Sequence, residues 1–333
     1  MENFKNVDFF AMKVGEKNGE YIREIVKKKI SDLPEGDLII KVDYSSLNYK
    51  DALSASGNRG VTKKYPHTPG VDAAGEIYYS NSKKFIKGDK VIVTGYDLGM
   101  NTAGGYGQYI SVPEDWVVKL PKNLTVKESM MFGTAGFTAA LSVYYLKERV
   151  DKKDGDVLVT GGTGGVAGIA IRILSKIGYT VYTSTGKLEK EKELKKLGAS
   201  EVIHRKEIDS DNKKPLLKGR WAGVIDSVGG NTLSTALRSV NMGGAVTSCG
   251  NVAGHEFYAS VYPFILRGIT LYGVNSAETP MDKRLKIWKL LSGEWKIENL
   301  KENVEELKLE NLSKKIDDML EGELIGRVIV DMR

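Results

Sequence analysis

Five glycines fall within the eight residues Gly161–Gly168, directly after the apolar run Val157-Leu158-Val159 and directly before the apolar stretch Ile169–Leu174. Strand, glycine turn and helix in that order present free backbone N–H groups to a phosphate. Gly162-x-Gly164-x-x-Ala167 fits the dinucleotide fingerprint: the first glycine permits the tight turn, the second lets backbone approach a pyrophosphate, and the third position needs only a small residue. The chain has 37 glycines, so a bare match carries little; the flanking strand and helix make this a cofactor turn rather than a plain βα turn. An acidic residue that reads the ribose of NAD belongs ~20 residues after the first glycine. That window, Tyr182-Thr183-Ser184-Thr185-Gly186-Lys187, holds no carboxylate. Thr185, Gly186 and Lys187 offer a hydroxyl, a backbone N–H and a cation, which receive a 2′-phosphate that a carboxylate would repel. They favour NADP(H) over NAD, and they fit a helix N-cap equally well.

Metal chemistry lacks the residues it needs. A zinc site takes four Cys, His or carboxylate ligands, and here one cysteine and three histidines, His67, His204 and His255, are scattered along the chain. Cys249 ends the apolar run AVTSC, where a free cysteine behaves as a small hydrophobe. No metal ligand set follows, and a reaction that leans on the cofactor remains.

These groups need scaffolds. At 333 residues the chain suits two domains, and 41% hydrophobic with 28% charged residues is globular. No apolar run approaches 18 residues, so no membrane segment is expected. The start, MENFKNVDFF, lacks the plan of a signal peptide, and a lone cysteine suits a reducing cytoplasm. The formal charge of +6 is spread as short runs such as Lys27–Lys29 or interleaved with Glu189, Glu191 and Glu193, a solvated face rather than a nucleic-acid stripe.

The first 125 residues read as short strands: Tyr21–Ile25, Leu38–Tyr44, Val71–Tyr79, Lys90–Thr94 and Gln108–Val112, with glycine turns between, a barrel-like β domain. From Lys127 a helical face begins, broken near Gly133–Gly136. After the fingerprint, strands at Thr180–Ser184, Glu201–His204, Gly223–Asp226, Ala245–Cys249 and Ile269–Val274 alternate with helices at Glu189–Leu197 and Thr232–Val240, the rhythm of a parallel doubly wound sheet. Helices at Met281–Leu291 and Leu312–Leu320 precede a closing strand, Gly326–Met332, that comes after the alternation and can return to the first domain.

Four further motifs stand in order around the fingerprint: Ser46-Leu47-Asn48-Tyr49-Lys50-Asp51, Pro69-Gly70-Val71-Asp72-Ala73-Ala74-Gly75, Gly133-Thr134-Ala135-Gly136-Phe137-Thr138 and Pro263-Phe264-Ile265-Leu266-Arg267. Together they resemble the zinc-independent medium-chain dehydrogenases/reductases of the YhdH/YhfP type, the quinone oxidoreductases and acryloyl-CoA reductases, from about Leu33 to the last strand. The resemblance implies an α/β chain with a GroES-like β-rich catalytic domain (residues 1–126 and 282–333) and a Rossmann domain (residues 127–281), with NADPH in a cleft between them. In zinc-dependent relatives, ligands occupy positions resembling Asn48, Val71 and Asp72; here the first is an amide and the second aliphatic, and the four-cysteine structural zinc loop is lacking. Gly162, Thr163, Gly164, Gly165 and Val166 would meet the pyrophosphate, and Thr185, Gly186 and Lys187 the 2′-phosphate, with Arg205 on the adenosine phosphate side. The family tends to carry arginine where this chain has Lys187, so a point charge replaces a bidentate fork and weakens the NADPH preference. Asn251, Ile265 and Ser276 would line the nicotinamide end, with Tyr49 beside the ring.

Tyr49, flanked by Asn48 and Asp51, is placed to touch a ligand and to act as an acid. Arg327 is open to two readings, a phosphate of cofactor or substrate, or a surface ion pair. The expected activity is NADPH-dependent reduction of an activated C=C, such as that of acryloyl-CoA or another short enoyl-CoA, or of a quinone. Tyr49 or Asn48 would stabilise the developing anion. A non-catalytic NADPH-binding protein, redox-sensing or structural, is the alternative. The apolar strand Ile269–Val274 at a sheet edge implies a homodimer.

Overall fold

Alternating side chains build the first part of the chain into antiparallel strands. The computed structural model describes residues 3–333; Met1 and Glu2, at the start of the expected first domain, lie outside them. β1 (Asp8–Lys17) and β2 (Glu20–Lys29) pair as a ribbon. β3 (Leu38–Ser46), α1 (Tyr49–Ala55), β4 (Asp72–Ser80), β5 (Lys90–Thr94), β6 (Tyr109–Val112) and β7 (Val117–Lys119) follow. Neither β1, whose period is hidden by the run Phe9-Phe10-Ala11-Met12, nor α1, too short for a helical period to show, is legible in the sequence pattern.

α2 (Val126–Leu146) carries the break expected near Gly133–Gly136: Gly133, at φ 51° and ψ −155°, leaves helical geometry and joins two helical segments across a kink. β8 (Val157–Val159), α3 (Gly165–Lys176), β9 (Val181–Thr185), α4 (Glu191–Lys196), β10 (Glu201–His204), β11 (Trp221–Asp226), α5 (Gly230–Ser239), β12 (Val240–Ser248), α6 (Tyr262–Arg267) and β13 (Thr270–Gly273) then alternate. α7 (Met281–Leu291), β14 (Val304–Lys308), α8 (Leu312–Leu320) and β15 (Arg327–Asp331) complete the chain.

Two units result. The first holds the described residues up to Thr134 with Ala277–Ser292 and Glu298–Arg333; the second holds Ala135–Ser276 and Gly293–Ile297. In the first, a seven-stranded sheet runs β14-β15-β3-β4-β5-β7, with β6 also on β3. Leu38, Ile40, Val42, Val91, Val328 and Val330 are among the side chains of its core. The closing strand does come back here: β15 lies antiparallel to β3, with Ile329 opposite Ser46 and Leu47 N–H donating to Val328 O at 2.9 Å. That register brings Arg327 to the turn that begins α1.

The second unit is a six-stranded parallel sheet in the order β10-β9-β8-β11-β12-β13, the doubly wound arrangement that the alternation implied. Leu158, Val224 and Val246 of its strands pack with Leu233 and Leu237 of α5. The strand order reverses between β8 and β11, and the carboxyl ends of strands at such a point form the ligand crevice of this architecture. Among the described residues no helix is long and apolar enough to cross a membrane.

Candidate functional site

At the switch point of the second unit, hydrogen bonds tie the two strand ends together. Thr160 Oγ1, one residue past β8, donates to Asp226 Oδ1 at 2.8 Å and accepts from Ser227 N–H at 3.0 Å. Gly229 N–H donates to Asp226 Oδ2 at 2.9 Å. Burial pushes the Asp226 carboxyl upward, and the Thr160 hydroxyl and turn amides oppose that shift. Gly162 must be a glycine, because a Cβ there would collide with Thr183 Oγ1. Gly164 is the N-cap of α3 and no side chain caps the helix. The first-turn amides of Gly165, Val166 and Ala167 therefore have no partner within the helix and suit a bound anion. This part of the expected set, with Thr163 beside it, is one continuous cradle that fits a pyrophosphate.

A second cradle forms beyond β9. Lys187 N–H donates to Thr185 Oγ1 at 3.0 Å, closing a small turn around Gly186. A Cβ on Gly186 would lie 3.1 Å from Arg205 Nε and 3.2 Å from its Cζ, so the guanidinium lies across the glycine backbone. Thr185, Gly186, Lys187 and Arg205 are brought together, with two cations and no carboxylate in residues 182–187. The donors fit a phosphate monoester. Asn251 packs against Gly229, and Ser276 Oγ hydrogen-bonds Thr138 Oγ1 at 2.8 Å, both beyond the carboxyl ends of strands. Ile265 stands 67% exposed on α6. Cys249 donates its thiol to Asp226 O at 3.3 Å, and burial with the nearby Asp226 pushes that thiol up to about 12. It is not poised as a nucleophile.

The first unit holds a buried ionic cluster. Asp51, third residue of α1, accepts from Asn48 N–H at 2.8 Å through Oδ2 and from Val71 N–H at 2.8 Å through Oδ1. The first of these bonds is half of a capping box and starts the helix at Tyr49. Asn48 Nδ2 donates to Asp72 Oδ2 at 2.8 Å, and Asp72 also accepts from Ser46 Oγ at 2.5 Å, Thr134 N–H at 2.8 Å and Thr134 Oγ1 at 2.6 Å. Asp51 and Asp72 are both 0% exposed. Burial and the neighbouring Asp72 push the Asp51 carboxyl up to about 7. Tyr106, whose hydroxyl donates to Ser46 O at 3.3 Å, is driven well above its ordinary range by burial and by the Asp51 carboxyl.

Arg327 corrects both readings offered for it. At 5% exposure it is neither a surface ion pair nor open to a phosphate; it is enclosed in this cluster. Its guanidinium donates to Ser46 Oγ at 2.8 Å, Leu47 O at 3.0 Å, Asn48 Oδ1 at 3.2 Å and Met131 O at 3.3 Å. Burial lowers its basicity, and Asp72 and Asp51 hold it up. Tyr49, by contrast, is 40% exposed at the start of α1, next to a locked Asn48. Asn48 has both ends of its amide committed, to Asp72 and to Arg327. Asp51, Asp72 and Thr134 stand in the sequence motifs without an assigned role; the Asn48-x-x-Asp51 spacing is the local signal that points to a cap.

Comparison with known proteins adds the following. Residues 34–122 match the alcohol dehydrogenase GroES-like domain and residues 165–292 the zinc-binding dehydrogenase family. The chain is 45% identical over 320 residues to YhfP of Bacillus subtilis, named as a quinone oxidoreductase, covering 95% of this chain and 97% of that protein. It is 38% identical over 318 residues to the acrylyl-CoA reductase AcuI of Ruegeria pomeroyi, covering 95% and 96%. The structure of the yhdH oxidoreductase from Salmonella enterica in complex with NADP superposes with a TM-score of 0.95 at 35% identity, covering 98% of this chain and all of that one. The structure of yhfP from Bacillus subtilis with NAD bound gives a TM-score of 0.95 at 43% identity, again over 98% and 100%.

Proposed function

The chain belongs to the medium-chain dehydrogenases/reductases of the YhdH/YhfP type, and from that premise we propose that it is a zinc-independent, NADPH-dependent reductase of an activated C=C, such as that of acryloyl-CoA, or of a quinone. The observation that carries the reading is the pairing of an uncapped glycine turn with a two-cation phosphate cradle in the same sheet. Gly162, Thr163, Gly164, Gly165 and Val166, with Thr185, Gly186, Lys187 and Arg205, would hold NADPH, which would supply the hydride when bound. The remaining work falls to this chain's own side chains. Tyr49 donates a hydrogen bond, and then its proton, to the substrate oxygen or carbon on which negative charge develops. Asn48, with its amide engaged on both sides, positions Tyr49 rather than touching substrate. Asn251, Ile265 and Ser276 are assigned to the nicotinamide end.

Zinc independence is supported by the chemistry of the cluster. Asn48 and Asp72 spend their polar atoms on each other, on Ser46, on Thr134 and on Arg327. Among the described residues no group of three His, Cys, Asp or Glu is arranged to hold a metal ion. The deciding experiment mixes the protein with NADPH in the presence of a chelator and follows NADPH fluorescence on adding acryloyl-CoA or menadione. Oxidation with at least one of them is expected. No oxidation with either would leave a non-catalytic NADPH-binding protein, and activity lost to the chelator and restored by zinc would overturn metal independence.

Cofactor choice is tested at the second cradle. Lys187→Ala and Arg205→Ala should each weaken NADPH by about 1–3 kcal/mol, about five- to 150-fold in Kd, and leave NADH nearly unchanged. Equal losses for both cofactors in a fluorescence titration would remove the 2′-phosphate assignment. Assembly follows from the sheet edge. β13 ends the strand order, and Tyr258, Val261, Ile265 and Leu266 leave apolar surface exposed in the segment before it. A homodimer that hides this edge is expected in a cytoplasmic setting. Sedimentation as a monomer at micromolar concentration would count against it.

A further inference from the structure

Asp226 carries a buried negative charge that, among the described residues, no cation meets in an ion pair. It ends β11 at the switch point and is 0% exposed. Its partners are the Thr160 hydroxyl and the amides of Val228, at 3.4 Å, and Gly229. All three donate. Thr160 Oγ1 already accepts from Ser227 N–H, which turns its own proton toward Asp226. Three donors are the surroundings of a carboxylate rather than of a carboxylic acid. They are dipoles, so a full unit of negative charge stays at the floor of the crevice. That charge reaches the neighbouring strand end. Burial first, and then Asp226, hold the Cys249 thiol protonated, so the interior just past β12 resists a negative charge. Asn251, assigned to the nicotinamide end, comes two residues after Cys249. Its Cα would lie 3.0 Å from a Cβ on Gly229, the residue whose N–H Asp226 holds.

We propose that Asp226 tunes how readily the cofactor gives up hydride: its unpaired charge at the floor of the crevice favours the nicotinamide in its cationic, oxidised form. Hydride transfer carries a proton and two electrons from the nicotinamide to the substrate, which is reduced and then takes up a proton. The ring is oxidised in the same step and left one charge more positive. A fixed carboxylate in a low-dielectric interior acts over several ångströms and stabilises the side of the step on which the cation appears. Folding of the turn does not require the charge. An asparagine would keep the bond from Gly229 through Oδ1 and offer Nδ2 to Thr160 Oγ1, leaving one hydroxyl proton unpaired. The carboxylate also bears a desolvation penalty that a neutral amide would escape.

The inference rests on the assignment of NADPH, with its nicotinamide at Asn251, and the test keeps the two apart. Kd for NADPH and for NADP⁺ is measured by titration for wild type, Asp226→Asn and Thr160→Val. Both forms carry the same phosphates and differ in charge only at the nicotinamide, so the ratio of their Kd values isolates that end. Asp226→Asn should weaken NADP⁺ relative to NADPH by about three- to tenfold. Thr160→Val disturbs the same turn and keeps the charge, so it should change both Kd values alike, with their ratio within about twofold of wild type. A ratio that Asp226→Asn leaves unmoved or shifts in favour of NADP⁺, or that Thr160→Val shifts as far as Asp226→Asn does, overturns the inference. Where Asp226→Asn does not fold, wild type alone gives the answer. Cys249 is the one cysteine of the chain, so the protein has a single S–H stretching band, from a thiol bonded to Asp226 O. A cation at the nicotinamide acts on that thiol together with Asp226, and the band should shift when NADP⁺ replaces NADPH. An unmoved band overturns the inference. A wild type that binds neither form defeats instead the cofactor reading.

Discussion

Tyr49→Phe is expected to lower kcat about ten- to a hundredfold and to leave the Kd for NADPH within about twofold. The change keeps the ring and deletes one hydroxyl, so α1 and its capping box stay as they are. The hydroxyl counts only as charge develops on the substrate, where a donor shielded from water is worth up to about 3–4 kcal/mol. Water reaching the half-exposed position would make up part of the loss, which is why the range extends down to tenfold. NADPH is assigned to the glycine turn and to Lys187 with Arg205, all outside the unit that carries Tyr49, so its affinity should hold. Steady-state rates on acryloyl-CoA and on a quinone make the comparison. An unchanged kcat on both would show that Tyr49 is not the proton donor. A raised KM for NADPH with kcat intact would make it a cofactor contact instead.

The cofactor half of the site was legible in the sequence because its determinants are local. Gly162 to Ala167 lie between a strand and a helix, and the spacing to Thr185–Lys187 follows from one βαβ unit. The side of Arg205 that crosses Gly186 could be expected from resemblance alone, since nothing in the spacing between 186 and 205 predicts that contact. The candidate catalytic half was only partly legible. Tyr49 stood out by its neighbours, but the cluster behind it draws Ser46 and Arg327 together across 281 positions. A register between β3 and β15 does this, and no periodicity reports a register between strands so far apart. The same distance explains the errors. In the sequence Arg327 fits a surface or phosphate-binding charge, because most arginines are exposed and nothing local marks this one as buried. β14 reads Val304-Glu305-Glu306-Leu307-Lys308, an edge strand too charged to be recognised by pattern. The break expected near Gly133–Gly136 is local and was legible: two helical segments meet in a kink at Gly133, where the side chains of Asp72, Ser46 and Arg327 leave no room for a Cβ.

That crowding makes Gly133→Ala a severely damaging substitution in the first unit. Gly133 holds φ 51° with ψ −155°, a combination that side-chain-bearing residues almost never adopt and that costs about 1–3 kcal/mol when forced. The methyl group also has nowhere to go. Its carbon would lie 2.5 Å from Asp72 Oδ2, 2.5 Å from Ser46 Oγ and 2.7 Å from Arg327 Nη2. None of the three is the free end of a flexible chain; each is tied into the cluster by the bonds to Asn48, Leu47 and Thr134. Relief requires breaking at least one hydrogen bond to a buried ion, worth about 1.5–3 kcal/mol, so a total loss of about 3–5 kcal/mol is expected. Gly243→Ala is the control. It too has a positive φ, 75°, but a Cβ there meets nothing within 4 Å, so only the backbone term of about 1 kcal/mol applies. Thermal melts should show Gly133→Ala losing roughly 10 °C or more and Gly243→Ala only a few degrees. Because Thr134 follows directly and bonds Asp72 twice, kcat should fall in Gly133→Ala even well below its melting temperature. Equal melting temperatures for the two variants would mean that the cluster yields to a methyl group, and Arg327, Ser46 and Asp72 would then be far looser than their hydrogen bonds indicate.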